Sequence, residues 1–117
     1  MKTIICGGRN KRISTFWWDH MTKDYGFLIT EVVSGNALGI DSDGERWAEE
    51  RAIPTVIFPV NDSEWRKFGK LAGPMRNERM AKYADAIIVF PGGRGTANMM
   101  KLAKQYELKF LLVVTEQ

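Results

Sequence analysis

The sequence predicts an α/β fold with a parallel sheet, and two features of the chain support this prediction. Apolar runs typical of strands alternate with segments whose apolar residues recur at helical spacing. The clearest run, residues 86–90, is unbroken, which is typical of a strand covered on both faces. Right-handed crossovers then place the strand-to-helix loops at one edge of the sheet, where ligands of such folds bind.

Five segments have the composition expected of strands: residues 3–6, 27–33, 54–60, 86–90 and 110–114. The first is short and ends at Gly7, the second is interrupted by Thr30 and Glu31, and the third is flanked by prolines. The polar residues 61–70 carry no clear signal for either kind of element. A chain of 117 residues is long enough for one core, so residues 1–117 are expected to form a single domain.

The segments between these strands carry helix signals. Residues 11–24 place apolar side chains on one helical face. Ser42 and Glu45 have the spacing of a capping box, so the next helix is expected to begin near Asp43. Pro74 follows a glycine and is expected at the first position of the third helix.

A glycine-rich loop joins the fourth strand to a last helix over residues 97–107. Its members are Pro91, Gly92, Gly93, Arg94, Gly95 and Thr96. Thr96 can cap the helix, and free N–H groups, the helix dipole and missing Cβ atoms favour an oxyanion, most often a phosphate. The alternative is a tight turn that needs glycine for its backbone angles alone. The loop is neither a Walker A loop nor a dinucleotide fingerprint, because no Gly-Lys-Ser/Thr follows and Asn98 occupies the last glycine position.

Other residues are expected at the same edge of the sheet. They are Gly7, Gly8 and Arg9 after the first strand, and Ser34 and Gly35 in the loop of residues 34–41. Arg76 lies in the first turn of the third helix beside Asn77, and it is expected to clamp a phosphate or carboxylate in a bidentate manner. The alternative for Arg76 is a surface salt bridge with Glu78 or Asp85.

Composition and charge limit the kind of protein. The formal net charge of +3 suits an anionic ligand, and the basic residues are spread along the chain. No apolar stretch approaches the roughly 18 residues of a membrane span, so no membrane association is expected. One cysteine excludes an internal disulfide and indicates a reducing compartment, the cytoplasm. With one histidine as well, no metal site is expected. No cofactor is expected either.

These residues together resemble the SLOG superfamily, named for the SMF/DprA and LOG proteins, and within it the short bacterial and phage members of the YspA type. The resemblance rests on four motifs: Gly7-Gly8-Arg9, the loop of residues 34–41 followed by Trp47-Ala48, Ala-Gly-Pro-x-Arg-Asn-x-x-Met over residues 72–80, and Phe-Pro-Gly-Gly with Gly-Thr over residues 90–96. Their order and spacing agree with the superfamily over nearly the whole chain.

The resemblance implies a Rossmann-like, three-layer fold with a five-stranded, mostly parallel sheet in the order 3-2-1-4-5. It also implies a pocket for a nucleotide or a nucleotide-derived ligand at the C-terminal edge of that sheet. Related proteins commonly self-associate, so a homodimer or a higher oligomer is expected.

The resemblance also raises the question of catalysis. LOG enzymes cleave the N-glycosidic bond of nucleoside 5′-monophosphates, and their pattern contains an Arg-Lys pair and Pro-Gly-Gly-x-Gly-Thr-x-x-Glu. Arg76 matches the arginine, whereas Asn77 replaces the lysine and Met99 replaces the glutamate. A methionine supplies neither the charge nor the base that such a reaction needs. Asp41 is a candidate substitute from the neighbouring loop, so enzymatic activity stays open.

Three functions follow, in order of preference. The first is the binding or sensing of a nucleotide or a nucleotide-derived phosphate ligand. The second is a LOG-like nucleoside 5′-monophosphate phosphoribohydrolase, with Asp41 as acid or nucleophile and Arg76 beside it. The third is DprA-like binding of single-stranded DNA through basic residues and aromatic partners: Lys67, Lys70, Arg76, Trp65 and Phe68.

Overall fold

The computed structural model describes residues 1–8, 23, 29–35 and 40–113. Its strands are β1 Lys2–Cys6, β2 Glu31–Ser34, β3 Thr55–Ile57, β4 Ala86–Val89 and β5 Phe110–Val113. Its helices are α1 Ile40–Glu50, α2 Asp62–Phe68, α3 Ala72–Tyr83 and α4 Arg94–Gln105, and the 3-10 turn Gly69–Leu71 joins α2 to α3. The predicted helix over residues 11–24 lies outside the described residues apart from Lys23, and so do Arg9 and Val114.

The strands form a parallel sheet, which confirms the predicted α/β class. β1 lies at the centre and pairs with β2 on one side and with β4 on the other. β3 pairs with β2, so the first four strands have the predicted order 3-2-1-4. β5 runs parallel to β4 on its far side.

Helices cover both faces of the sheet. Neighbouring residues of a strand point to opposite faces, so two consecutive residues of β4 show which helices pack on each face. Ile87 of β4 belongs to a buried cluster that includes Met80 of α3 and Met99 of α4. The next residue, Ile88, belongs to a second cluster that includes Trp47 of α1. A parallel sheet with helices on both faces is compatible with a Rossmann-like architecture.

Two strands are shorter than predicted, one because of where its partner strand begins and the other because prolines flank it. β2 begins at Glu31 rather than at residue 27, since its first partner is Lys2, near the start of β1. Ile29 and Thr30 precede the strand. β3 covers only residues 55–57 of the predicted 54–60, since the prolines at both ends lack an N–H for pairing.

The helix starts also differ from the prediction. α1 begins at Ile40 rather than near Asp43. Ser42 is therefore the third residue of the helix rather than its N-cap, and the Glu45 carboxylate accepts a hydrogen bond of 2.5 Å from Ser34 Oγ in β2. Pro74 is the third residue of α3 rather than the first, and this position is tolerated because first-turn N–H groups have no helical acceptor.

α4 begins at Arg94, so Thr96 lies within its first turn and does not cap it. The N-cap residue is Gly93, which has no side chain and forms no capping hydrogen bond. The predicted boundary is therefore wrong by a few residues, and the correction moves the helix N-terminus into the glycine-rich loop itself.

α2 lies in a stretch for which the sequence analysis made no assignment, although a signal is present. Asn61 Oδ1 accepts a 2.8 Å hydrogen bond from the Glu64 backbone N–H, and the Glu64 carboxylate accepts one of 3.3 Å from the Asn61 N–H. This reciprocal pair is a capping box, and its Asn-x-x-Glu spacing is readable from the sequence.

Within the described ranges, none of the helices combines the length and the apolar composition that crossing a membrane requires.

The buried face of β4 is expected to dominate stability. Replacing Ile87, which is 0% exposed, with alanine should lower the free energy of unfolding by about 2–5 kcal/mol, because the buried side chain leaves a cavity. Ile57 is 44% exposed, so Ile57→Ala is a matched control that should lower it by less than about 1 kcal/mol. Urea unfolding measures both values, and equal losses in the two variants would contradict the described core.

Candidate functional site

A cleft of about 510 Å³ opens at the C-terminal ends of the central strands. The loops that follow β1, β2 and β4 all contribute to it, as expected for one edge of a parallel sheet. The described lining residues are Cys6, Gly7, Gly8, Gly35, Asp41, Arg76, Asn77, Met80, Gly93, Arg94, Gly95, Thr96 and Met99. The cleft lies where the chain changes direction across the sheet, since β1 lies between β2 and β4.

The two glycine loops touch each other beside the cleft. The Gly8 N–H donates a 2.8 Å hydrogen bond to the Pro91 carbonyl oxygen. A Cβ atom on Gly92 would lie 2.9 Å from the Gly8 nitrogen, and one on Gly7 would lie 2.7 Å from Ile40 Cγ1. Gly7 and Gly92 are therefore required by packing rather than by their backbone angles, since neither has a positive φ.

Gly93 and Gly95 differ from these two glycines. A Cβ atom on either of them would meet no heavy atom within 4 Å, and neither has a positive φ. The packing of the described chain does not require glycine at these positions. Their exposed backbone lines the cleft, so a ligand can approach the main chain closely there.

The N-terminus of α4 presents backbone donors to the cleft. The first hydrogen bond within this helix runs from the Ala97 N–H to the Gly93 carbonyl oxygen, at 3.1 Å. The N–H groups of Arg94, Gly95 and Thr96 come before it and have no helical acceptor. Among the residues that the structure describes, no side chain caps this helix, and its first turn contains no acidic residue. The positive end of the helix dipole therefore faces the cleft.

Arg76 ties α3 to the ends of two strands. Its Nη1 donates to the Gly35 carbonyl oxygen at 2.7 Å and to the Phe58 carbonyl oxygen at 3.2 Å. Its Nε donates to Asn77 Oδ1 at 2.9 Å. Within the part of the chain that the structure describes, Nη2 makes no hydrogen bond and is the donor left for a ligand.

The loop after β2 is shaped to accept this guanidinium. A Cβ atom on Gly35 would lie 2.9 Å from Arg76 Nη1 and 3.0 Å from its Cζ, so a larger residue would displace the side chain. The alternative of a surface salt bridge is not observed, since Glu78 pairs with Lys82 at 3.4 Å and Asp85 accepts from the Lys2 N–H at 3.1 Å.

Asp41 and Cys6 are buried residues that line the cleft. Asp41, the second residue of α1, is 8% exposed and lies within electrostatic reach of Arg76. Burial lowers the pKa of the Arg76 guanidinium, and the Asp41 charge opposes that shift. Burial raises the pKa of the Cys6 thiol, and the same carboxylate raises it further.

The remaining predicted site residues surround the cleft without lining it. Ser34 donates to Glu45, Pro91 accepts from Gly8, and Gly92 packs against Thr96. Arg9 lies outside the described residues.

Asn98 is a residue whose role the sequence analysis missed. Its Oδ1 accepts a 2.9 Å hydrogen bond from Asn77 Nδ2, which links α4 to α3 behind the cleft. Only the tertiary structure brings these two amides together, because 21 positions separate them in the chain.

Comparisons of the chain with family models, with curated proteins and with solved structures found no match. The resemblance to the SLOG superfamily therefore stays an expectation that rests on its motifs.

The buried thiol gives the stability of the protein a specific pH dependence. Because the pKa of Cys6 is higher in the folded chain than in the unfolded chain, its stabilising contribution is complete below the unfolded pKa and is lost as the pH rises above it. The free energy of unfolding of the native protein minus that of Cys6→Ala should therefore fall between about pH 7.5 and about pH 10. Urea unfolding at each pH measures this difference, and a constant difference would contradict the burial of the thiol.

Proposed function

We propose that the cleft binds the phosphate group of a nucleotide or of a nucleotide-derived ligand, and that the protein serves to bind or sense that ligand. The observation that carries this proposal is the uncapped N-terminus of α4 beside two glycines that packing does not require. Arg94 in the first turn of α4 and Arg76 on the opposing helix add positive charge to the same cleft. A phosphate accepts hydrogen bonds from several such donors at once.

Arg76 contributes to this site in a more limited way than a bidentate clamp. Its Nε and Nη1 are already engaged by Asn77, Gly35 and Phe58, which leaves Nη2 to contact the ligand. Arg94 is exposed and lies at the helix N-terminus, so it is the side chain best suited to a direct charge contact.

The size and the walls of the cleft support a ligand larger than inorganic phosphate. Its volume of about 510 Å³ is within the range of pockets for small organic molecules. Met80 and Met99 supply apolar walls, and Asp41 supplies a carboxylate that can accept hydrogen bonds from sugar hydroxyl groups. A phosphorylated nucleoside or a relative of one combines these features.

The second candidate is LOG-like hydrolysis of a nucleoside 5′-monophosphate, and the position of Asp41 favours it. Asp41 lines the same cleft as Arg94 and Arg76. The cleft therefore contains a carboxylate, although Met99 replaces the glutamate of the LOG pattern. Incubation with nucleoside 5′-monophosphates distinguishes the candidates. Release of ribose 5-phosphate that is lost in Asp41→Asn would support the hydrolase, whereas binding without release supports the sensor.

The third candidate, binding of single-stranded DNA, has less support from the placement of its residues. Lys67, Lys70, Trp65 and Phe68 lie on α2 and the turn after it, and none of them lines the cleft. Lys67 Nζ lies 5.2 Å from the centre of the Phe68 ring, so these two side chains already contact each other.

The resemblance to the SLOG superfamily adds proposals about the fold, the location and the assembly of the whole chain. It includes a three-layer, Rossmann-like fold with a five-stranded sheet, a cytoplasmic location and self-association. The order of the strands and the cleft at their C-terminal edge support the fold. Exposed apolar side chains on neighbouring elements, Trp65, Leu71 and Met75, support self-association.

Titration calorimetry with AMP as the probe tests the first proposal. Arg94→Ala should weaken AMP binding about tenfold, because a charge-assisted contact to the phosphate is lost. Arg66→Ala is the matched control, since Arg66 is an exposed arginine of α2 that does not line the cleft, and it should leave the affinity unchanged.

Adenosine, which lacks the phosphate, should bind more weakly than AMP to the native protein. Equal losses in the two arginine variants would contradict the proposed phosphate site. Absence of binding by AMP, GMP, CMP and UMP alike would overturn the proposed class of ligand.

A further inference from the structure

Three side chains form a continuous line of hydrogen bonds from the cleft to α4. Arg76 Nε donates to Asn77 Oδ1, and Asn77 Nδ2 donates to Asn98 Oδ1, each at 2.9 Å. Asn77 is 8% exposed, and both hydrogen bonds are partly buried. The line therefore connects the guanidinium in the cleft to the second turn of the helix whose N-terminus forms the proposed phosphate site.

The chemistry of arginine determines the direction of both bonds. A guanidinium Nε–H donates and cannot accept, so Asn77 has to turn its Oδ1 towards Arg76. The Asn77 Nδ2 group then faces Asn98 as a donor, and Asn98 has to present its oxygen. Only an acceptor at position 98 can complete this arrangement.

We propose that Asn77 and Asn98 are positioning residues that hold the Arg76 guanidinium in the orientation required for ligand binding. An arginine side chain has many rotamers, and fixing them before the ligand arrives reduces the entropy lost on binding. Gly35 and Phe58 fix one end of the guanidinium through their carbonyl oxygens, and Asn77 fixes Nε. The consequence for affinity rests on the proposed phosphate site, whereas the hydrogen-bond line itself does not.

This role explains the asparagine at position 77. A lysine there, as in the LOG pattern, would have no acceptor for Arg76 Nε and would place a second positive charge beside it. The structure thus assigns Asn77 to support of Arg76, because its oxygen and its amide nitrogen are both engaged by protein groups.

The test compares two substitutions at Asn98. This residue does not line the cleft, so it is not expected to touch the proposed ligand. Asn98→Leu removes the acceptor oxygen and replaces the side chain with an apolar one of similar volume. Asn98→Asp retains an acceptor oxygen. The first measurement needs no ligand: the hydrogen-exchange rate of the Arg76 Nε–H, followed by ¹H–¹⁵N spectroscopy and assigned with Arg76→Lys. The second measurement is the affinity for AMP. Urea unfolding confirms that each variant is folded under the conditions used.

Asn98→Leu should accelerate exchange of the Arg76 Nε–H and weaken AMP binding about tenfold, because the guanidinium is no longer held in place. Asn98→Asp should restore slow exchange and should bind AMP within about threefold of the native affinity. This rescue distinguishes the two roles of Asn98. A role as hydrogen-bond acceptor is restored by aspartate and not by leucine, whereas a packing role would not be restored by aspartate alone.

Unchanged exchange in Asn98→Leu, or equal damage from the aspartate and leucine variants, would overturn the proposal. Altered exchange with unaltered AMP affinity would also overturn the positioning role. If the native protein binds no nucleotide, the proposed function fails, and the exchange rates alone then decide whether Asn98 holds Arg76 through Asn77.

Discussion

The parallel pairing of β1 with β4 determines where the candidate site residues of this protein lie. Cys6 pairs with Val89 at the ends of the two strands, and the Gly8 N–H continues the pairing to the Pro91 carbonyl oxygen. Two loops from distant parts of the chain therefore leave the sheet side by side. Their closeness requires Gly7 and Gly92, because a Cβ atom on either would collide with the other loop or with the core.

Arg76 combines a structural task with the proposed binding task. It joins α3 to the loop after β2 and to the end of β3, which completes one wall of the cleft. A partly buried guanidinium is stable there because carbonyl and amide oxygens accept its hydrogen bonds and because the Asp41 charge favours the protonated form. A cation fixed in this way attracts an anionic ligand without a large entropic cost at the moment of binding.

Sequence patterns predicted the class of fold and the edge of the sheet at which the loops lining the cleft converge, but not the contacts within the cleft. The run before Pro91 identified β4 because a strand covered on both faces must be apolar throughout. The length of β2 depends on its partner strand, which periodicity does not show. Glu45 shows why local patterns also fail for side-chain contacts. Its spacing from Ser42 fits a capping box, yet its carboxylate accepts a hydrogen bond from Ser34. Such pairings depend on tertiary distances that no local pattern contains.

The uncapped first turn of α4 is the feature on which the proposed function depends. Titration of the ¹⁵N-labelled protein with AMP observes it without any substitution. The backbone amide signals of Arg94, Gly95 and Thr96 should shift in a saturable manner, because their N–H groups donate to the phosphate. The signal of Gly69, in the 3-10 turn after α2, should not shift. Saturable shifts confined to other regions, or no shift of these three amides at millimolar AMP, would contradict phosphate binding at this helix.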